Sequence, residues 1–300
     1  MTHPLLQPGS LLPAIEAQTR AALAAGALLP IETDQTLVED GGVRFLVRSV
    51  SNLERKAEER RRLAMEPRPG NPFLPPEPPL RVGAIGERHL AVLNKFNVLE
   101  RHLLIVTREF EHQERLLTEA DFAALWACLA EFPSLGFYNG GREAGASQPH
   151  KHLQLVPLPL VNGETELPIS PLIDGASRQG RLGDHPGLPF RNAFAPIHSD
   201  LPPNPLAAAA ILHDLYEEML GFVGIGELER EGELRQSMPY NLLVTRRWML
   251  LAPRRQEFYQ GISVNALGFA GSLFVRNQEE MALVKAVGPM QLLQRVVMGE

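Results

Sequence analysis

The chain has 300 residues, with 29 Lys and Arg against 35 Asp and Glu, a formal net charge of −6. This mild acidity argues against a general nucleic-acid binder, which carries a basic excess; the single Cys128 excludes an intramolecular disulfide or a multi-cysteine metal site and fits a reducing compartment. No apolar run approaches the roughly 18 residues of a membrane span, and the first residues lack the basic segment of a secretory signal, so a soluble, cytoplasmic protein of one or two domains is expected.

In chain order, residues 13–25 are Ala-rich and predict a helix. Residues 35–50 hold two apolar runs around Asp40-Gly41-Gly42, a hairpin pattern in which the glycines supply positive φ. Residues 53–66 mix both charge signs with good helix formers and predict a solvated helix. Residues 67–79 contain seven prolines, which rule out a regular helix or central strand and predict an extended connector on the surface. Strand-like runs follow at 81–86, 89–96 and 101–107. Thr118, with Asp121 three residues on, opens a helix with an apolar stripe through Leu117, Phe122, Leu125, Trp126 and Leu129; Cys128 within it predicts a core thiol.

Short strands at 136–138 and 151–158 flank the loop 139–149. Residues 159–204 are irregular and too long for an ordinary loop, which suggests an inter-domain excursion or a lid. A helix over 205–224, strands at 240–245 and 248–252, and two closing helices split by Gly288-Pro289 complete the chain. Meander-like strands with segregated helices predict an α+β fold rather than a doubly wound sheet. The expected division is 1–165, a linker at 166–204, and 205–300.

The chemistry concentrates in residues 139–159, NGGREAGASQPHKHLQLVPLP. Side chains alternate along a strand, so His150, His152 and Gln154 share one face while Lys151, Leu153 and Leu155 share the other. The preceding loop is cleared by Gly140, Gly141, Gly145 and Ala146, and Ser147 and Gln148 add donors. Backbone N–H groups in such a loop cradle anions, with Arg142 and Lys151 bringing positive charge. A neutral imidazole can attack phosphorus and split one displacement into two, provided its other nitrogen is held as a donor. Gln154 has no titratable proton; it can donate to a non-bridging phosphate oxygen but cannot assist proton transfer to water. That favours transfer to another phosphate over hydrolysis. A metal pair remains the alternative for His-x-His on a strand, although no third ligand is evident nearby.

Several segments, taken together, resemble the diadenosine tetraphosphate phosphorylases, or ATP adenylyltransferases, of the histidine-triad superfamily. They are Asn71-Pro72-Phe73-Leu74-Pro75, Leu93-Asn94-Lys95-Phe96-Asn97-Val98, His102-Leu103-Leu104-Ile105-Val106-Thr107, Phe137-Tyr138-Asn139-Gly140-Gly141 and Gly145 through Gln154. Tyr240-Asn241-Leu242-Leu243-Val244-Thr245, Trp248-Met249, Pro253-Arg254-Arg255 and residues 263–271 continue the similarity. The resemblance implies a histidine-triad-like antiparallel sheet with flanking helices, extended by a C-terminal α/β segment. It implies reversible phosphorolysis of diadenosine tetraphosphate to ATP and ADP. His152 would attack the α-phosphorus and carry AMP as a phosphoramidate, with Gln154 and His150 beside it in the motif. Substrate contacts would fall on Lys56, Asn94, Lys95, Asn139, Gly145, Ala146, Ser147, Gln148 and Gln154, and in the C-terminal part on Asn241, Met249 and Arg254, with Arg255 adjacent. Trp248 reads as a core or base-stacking residue, and His185, His198 and His213 carry no motif.

The implied partners are small nucleotides and phosphate, without nucleic acid or membrane. No protein-bound cofactor is expected; a divalent cation such as Mg would arrive with the polyphosphate, since no carboxylate cage is visible for one. Three other functions share parts of this pattern: another nucleotidyltransferase such as a sugar-nucleotide uridylyltransferase, a dinucleotide sensor that binds without turnover, and a metal-dependent hydrolase built on the histidine pair.

Overall fold

The computed structural model describes residues 5–50, 70–161, 163–164, 166–174, 182–198 and 201–299. The charged segment 53–66, and Lys56 with it, lies outside the described residues. Helix α1 (Leu11–Ala24) precedes the expected hairpin, β1 (Thr33–Asp40) and β2 (Val43–Val50), closed by Gly41 and Gly42 at positive φ. Strands β3 (Arg81–Ile85), β4 (His89–Leu93) and β5 (Leu103–Thr107) follow, then helix α2 (Glu119–Glu131). The Thr118 side chain accepts from the Asp121 backbone N–H and Asp121 reaches back to Thr118, a complete capping box.

Strands β6 (Ser134–Gly140) and β7 (His152–Pro157) flank the glycine loop, and a single helical turn α3 (Ser170–Ile173) leads to strand β8 (Ala193–Pro196). Helix α4 (Pro205–Val223) is capped by Asn204, begins with proline and ends on left-handed Gly224. The rest comprises β9 (Glu227–Arg230), β10 (Glu233–Gln236), β11 (Tyr240–Val244), β12 (Trp248–Pro253), β13 (Phe258–Tyr259), β14 (Ile262–Ser263), the short helix α5 (Ala266–Phe269), β15 (Ser272–Val275), α6 (Gln278–Val287) and α7 (Pro289–Val296).

One eight-stranded sheet organises the molecule, in the order β3-β4-β5-β7-β6-β11-β12-β8, with every neighbouring pair antiparallel. Strand β6 pairs directly with β11, so strands from either side of the expected 166–204 linker share one sheet. Alternation along the strands serves two cores. Leu153 and Leu155 of β7, Tyr138, Leu242 and Met249 pack with α1, α2 and α4. Val156, Phe137, Leu243, Trp248 and Leu250 face the opposite way, against Phe45, Val47, Leu273 and the closing helices. Cys128 is a buried core thiol whose pKa burial pushes up, and Trp248 is wholly core.

One expectation changes. The irregular 159–204 stretch is not a free excursion: Ala193–Pro196 pairs with β12 as an edge strand of the main sheet, and Leu160, Leu167, Ile169 and Phe190 fill the second core. Its short apolar pieces are too brief for a periodic signal. The C-terminal β15 pairs in parallel with β2 at the N-terminus, Phe274 opposite Arg48, a long-range pairing that no local pattern announces.

Candidate active site

The second core does not reach across β4 and β5. There the sheet is the floor of a cleft of about 1430 Å³. Pairing places Val92 opposite Leu104, Leu104 opposite Gln154, and Gln154 opposite Phe137. His152 and Gln154 therefore project from the same face as Val92 and Leu104, as strand alternation predicts, and all four line the cleft. Lys151 goes the other way. It does not offer positive charge to the loop: its buried ammonium donates to Asp121 at 3.0 Å, Glu111 at 3.2 Å and the Leu116 carbonyl at 2.9 Å. Burial raises the Asp121 pKa, but Lys151 and His89 more than offset it and hold this carboxyl well below the usual range. The ion cluster thus anchors the back of the His-x-His turn.

The His152 ring is held from three sides. Nδ1 donates to the His150 carbonyl at 2.8 Å, which leaves Nε2 with its lone pair. The Phe73 ring packs on it, centroids 5.4 Å apart. Where β6 and β7 diverge, Gln113 bridges them: its Oε1 accepts the His152 N–H at 2.8 Å, and its Nε2 donates to the Asn139 carbonyl at 2.9 Å. Burial lowers the His152 pKa to about 4, only partly opposed by the bond to His150, so the imidazole is neutral at pH 7. His150 is fully buried. Its Nε2 donates to the Thr107 carbonyl at 2.8 Å and its Nδ1 accepts from Asn71 Nδ2 at 2.7 Å; burial lowers its pKa too. It is the support of His152 rather than a second reactive ring.

Gln154 is oriented by a chain that begins at Asn94. The Asn94 amide donates to His102 Nδ1 at 3.2 Å, and His102 Nε2 donates to Gln154 Oε1 at 2.9 Å. Desolvation lowers the His102 pKa to about 4, against the opposing bond to Gln154. With its carbonyl engaged, the Gln154 amide turns N–H toward the cleft. His102 belongs to the HLLIVT segment and shares the face of Leu104, but its bond to Gln154 follows only from the β5–β7 register.

The loop after β6 needs its glycines. Gly145 is left-handed at φ 89°, and a Cβ there would come within 2.8 Å of the Asn265 Cβ. The N–H groups of Gly145 and Ala146 turn inward to Arg142 and Gly141. Neither Gly145 nor Ala146 therefore offers its N–H to the cleft. The N–H groups of Ser147 and Gln148 have no partner among the described residues, and both residues line the cleft. Asn139 lines it as well. Its Oδ1 accepts from Asn241 Nδ2 and from the Ala266 N–H, each at 2.9 Å, which presents its own amide N–H groups to the space.

Lys95 lines the cleft but is paired with Glu77 at 2.7 Å. Asn241, Met249 and Arg254 do not reach it, a correction to the implied contacts. Asn241 stands behind Asn139, bonded to it and to the Ala144 carbonyl. Arg254, fully buried, donates to Asn241 Oδ1 and to the Gln256 and Val296 carbonyls. Its guanidinium is spent on Asn241 and on backbone carbonyls, so it positions the Asn pair instead of meeting phosphate. Met249 packs in the first core, on the other face of the sheet; Arg255 is exposed. The described part of the proline-rich segment, residues 70–79, is a cleft wall rather than a surface connector, because Asn71 and Phe73 bind the histidines. Among the described residues, His213, Asp214 and Glu217 of α4 could group around an ion, but they lie outside the cleft and His213 is bonded to the Leu117 carbonyl.

An antiparallel sheet that carries His150-x-His152-x-Gln154 beside a glycine loop defines a histidine-triad-like α+β fold. A family model described as Ap4A phosphorylase N-terminal domain matches residues 1–175, and one described as ATP adenylyltransferase C-terminal domain matches residues 186–299. The chain belongs to the Ap4A phosphorylase family. Two relatives are from Saccharomyces cerevisiae. Protein APA1 is 28% identical over 91% of this chain and 88% of its own length. Diadenosine 5',5'''-P1,P4-tetraphosphate phosphorylase 2 is 30% identical over 70% of each chain. The crystal structure of yeast Ap4A phosphorylase Apa2 in complex with AMP shares the fold, with a TM-score of 0.76 at 23% identity, covering 98% of this chain and 99% of that one.

Proposed function

We propose that the chain catalyses reversible phosphorolysis of diadenosine tetraphosphate, with inorganic phosphate as second substrate and ATP and ADP as products. The observation that carries the reading is the orientation of His152: Nδ1 fixed on a carbonyl, Nε2 neutral and open to a cleft large enough for a dinucleotide. Family membership and the activity named for the 30% identical yeast relative support it.

In the first half-reaction His152 Nε2 bonds to the α-phosphorus of one adenylate as the bond to the bridging oxygen breaks, and ATP leaves as a polyanion that needs little protonation. The cationic ring of the adenylyl-histidine is stabilised by the His150 carbonyl, which keeps the Nδ1 proton. Gln154 donates to a non-bridging oxygen as charge grows there, with the cleft-lining Ser147 and Gln148 and the Asn139 amide beside it. In the second half a phosphate oxygen bonds to the same phosphorus, the P–N bond breaks, ADP forms and neutral His152 returns. Lys56 and Lys95 contact the nucleotide in this reading, and a divalent cation enters with the polyphosphate. The absence of an acid or base at position 154 disfavours water as acceptor.

The test uses radiolabelled inorganic phosphate with unlabelled diadenosine tetraphosphate. The label is expected in the β-phosphate of ADP and not in ATP. Cleavage without phosphate, or label in ATP, would contradict the reading.

A further inference from the structure

We infer that Arg48 is the cationic end of a phosphate-binding subsite in the cleft, distinct from the glycine loop. The inference rests on the reading above only for which phosphate it takes. Arg48 lies on β2, opposite Phe274 of β15, and lines the cleft while only 8% exposed. Of its five donors, the bond to the Leu160 carbonyl at 3.3 Å is the one made among the described residues. Its Nε is buried without a partner, and it has no carboxylate partner among the described residues. Burial lowers its pKa, with nothing nearby to raise it.

A buried guanidinium without a counter-charge is costly, and such local conflicts concentrate where a ligand completes the site. Among the described residues lining the cleft, Lys95 is the other cation, and Glu77 already neutralises it. Among the described residues of the cleft, a polyphosphate therefore has one uncompensated fixed cation to meet, and it is Arg48.

The position suits that role. The glycine loop rests on Asn265, and the same wall continues through Leu267 and Ser272 to Phe274 and Arg48. A phosphate chain leaving the loop beside His152 can follow this wall to the guanidinium, with the Ser272 hydroxyl on the way. Guanidinium geometry matches two phosphate oxygens at once. The anion is either a distal phosphate of the dinucleotide or free inorganic phosphate, and the two sources separate experimentally.

The experiment compares the full chain with Arg48→Gln and Arg48→Lys, titrated calorimetrically with inorganic tripolyphosphate and with inorganic phosphate and melted with and without each. Arg48→Gln is expected to melt no lower than the parent, because it removes an uncompensated buried charge, and to weaken at least one probe by about tenfold or more; Arg48→Lys should recover part of the loss. A loss on tripolyphosphate, with a raised KM for the dinucleotide, assigns a distal phosphate. A loss on phosphate, with a raised KM for phosphate, assigns the acceptor. Equal affinities in all three proteins, no binding of either probe to the parent, or a lowered melting temperature with affinities unchanged would overturn the subsite. Should the parent bind the probes through Arg48 yet fail to cleave the dinucleotide, the subsite stands and the proposed reaction fails.

Discussion

His102 is expected to act only through Gln154, and replacing it by Phe tests this. Phe fills similar space but cannot donate to Gln154 Oε1, now bonded at 2.9 Å, or accept from Asn94 at 3.2 Å. The Gln154 amide then loses what fixes its nitrogen toward the phosphate. The net worth of one neutral hydrogen bond, about 1 kcal/mol or roughly fivefold, sets a lower bound on the effect. Complete loss of a transition-state donor, about 10²–10³-fold in kcat, sets the upper one. We expect kcat to fall by about ten- to a hundredfold with KM little changed, measured by following ADP release. The decisive arm is a double-mutant cycle. In a Gln154→Ala background, His102→Phe should cost less than about twofold. An equal loss in both backgrounds would refute the relay and make His102 an ordinary structural residue.

Lys151→Met leaves the buried Asp121 carboxylate without its ammonium and should cost about 3–5 kcal/mol in urea unfolding, with Asp121→Asn recovering part; a loss below about 1 kcal/mol contradicts the anchor. The imidazoles of His152 and His102, at about 4 against an ordinary 6.5, set a pH dependence. Their folded pKa values are lowered, so the unfolded chain binds more protons below 6.5. Stability is complete above 6.5 and falls as pH drops toward 4, by up to about 3 kcal/mol per ring. For the same reason His152 should give kcat/KM no acid limb near 6.5, and an NMR titration in which the His152 ring protonates near 6.5 would contradict a neutral, buried ring. Gln154→His should raise release of AMP to water relative to ADP; chromatography showing an unchanged ratio would remove the argument that Gln biases the acceptor.

Much of this site is legible in the chain because strand alternation is rigid. His152 and Gln154 fall on one face and Lys151 on the other from spacing alone, and Thr118 with Asp121 forms the capping box the pattern predicts. Where reading fails, the cause is pairing across distance. Gln113, Asn71 and Phe73 matter because they meet the His150–His152 turn from segments far along the chain, and a proline-rich composition says nothing of what it covers. Lys151 is misjudged as a phosphate cation because its partners, the buried Asp121 and the part-exposed Glu111, come from elsewhere in the sequence. Arg254 fails similarly: a basic turn suggests phosphate, but carbonyls from residues 256 and 296 consume the guanidinium.

The central claim is that His152 Nε2 carries the adenylate. Mixing the protein with diadenosine tetraphosphate in the absence of phosphate, quenching in base and mapping peptides by mass spectrometry measures this directly. AMP should be found on His152, be discharged as ADP when phosphate is added before the quench, and be absent from His152→Ala. Phosphate-dependent turnover that persists in His152→Ala, or an adduct on another residue, would contradict it.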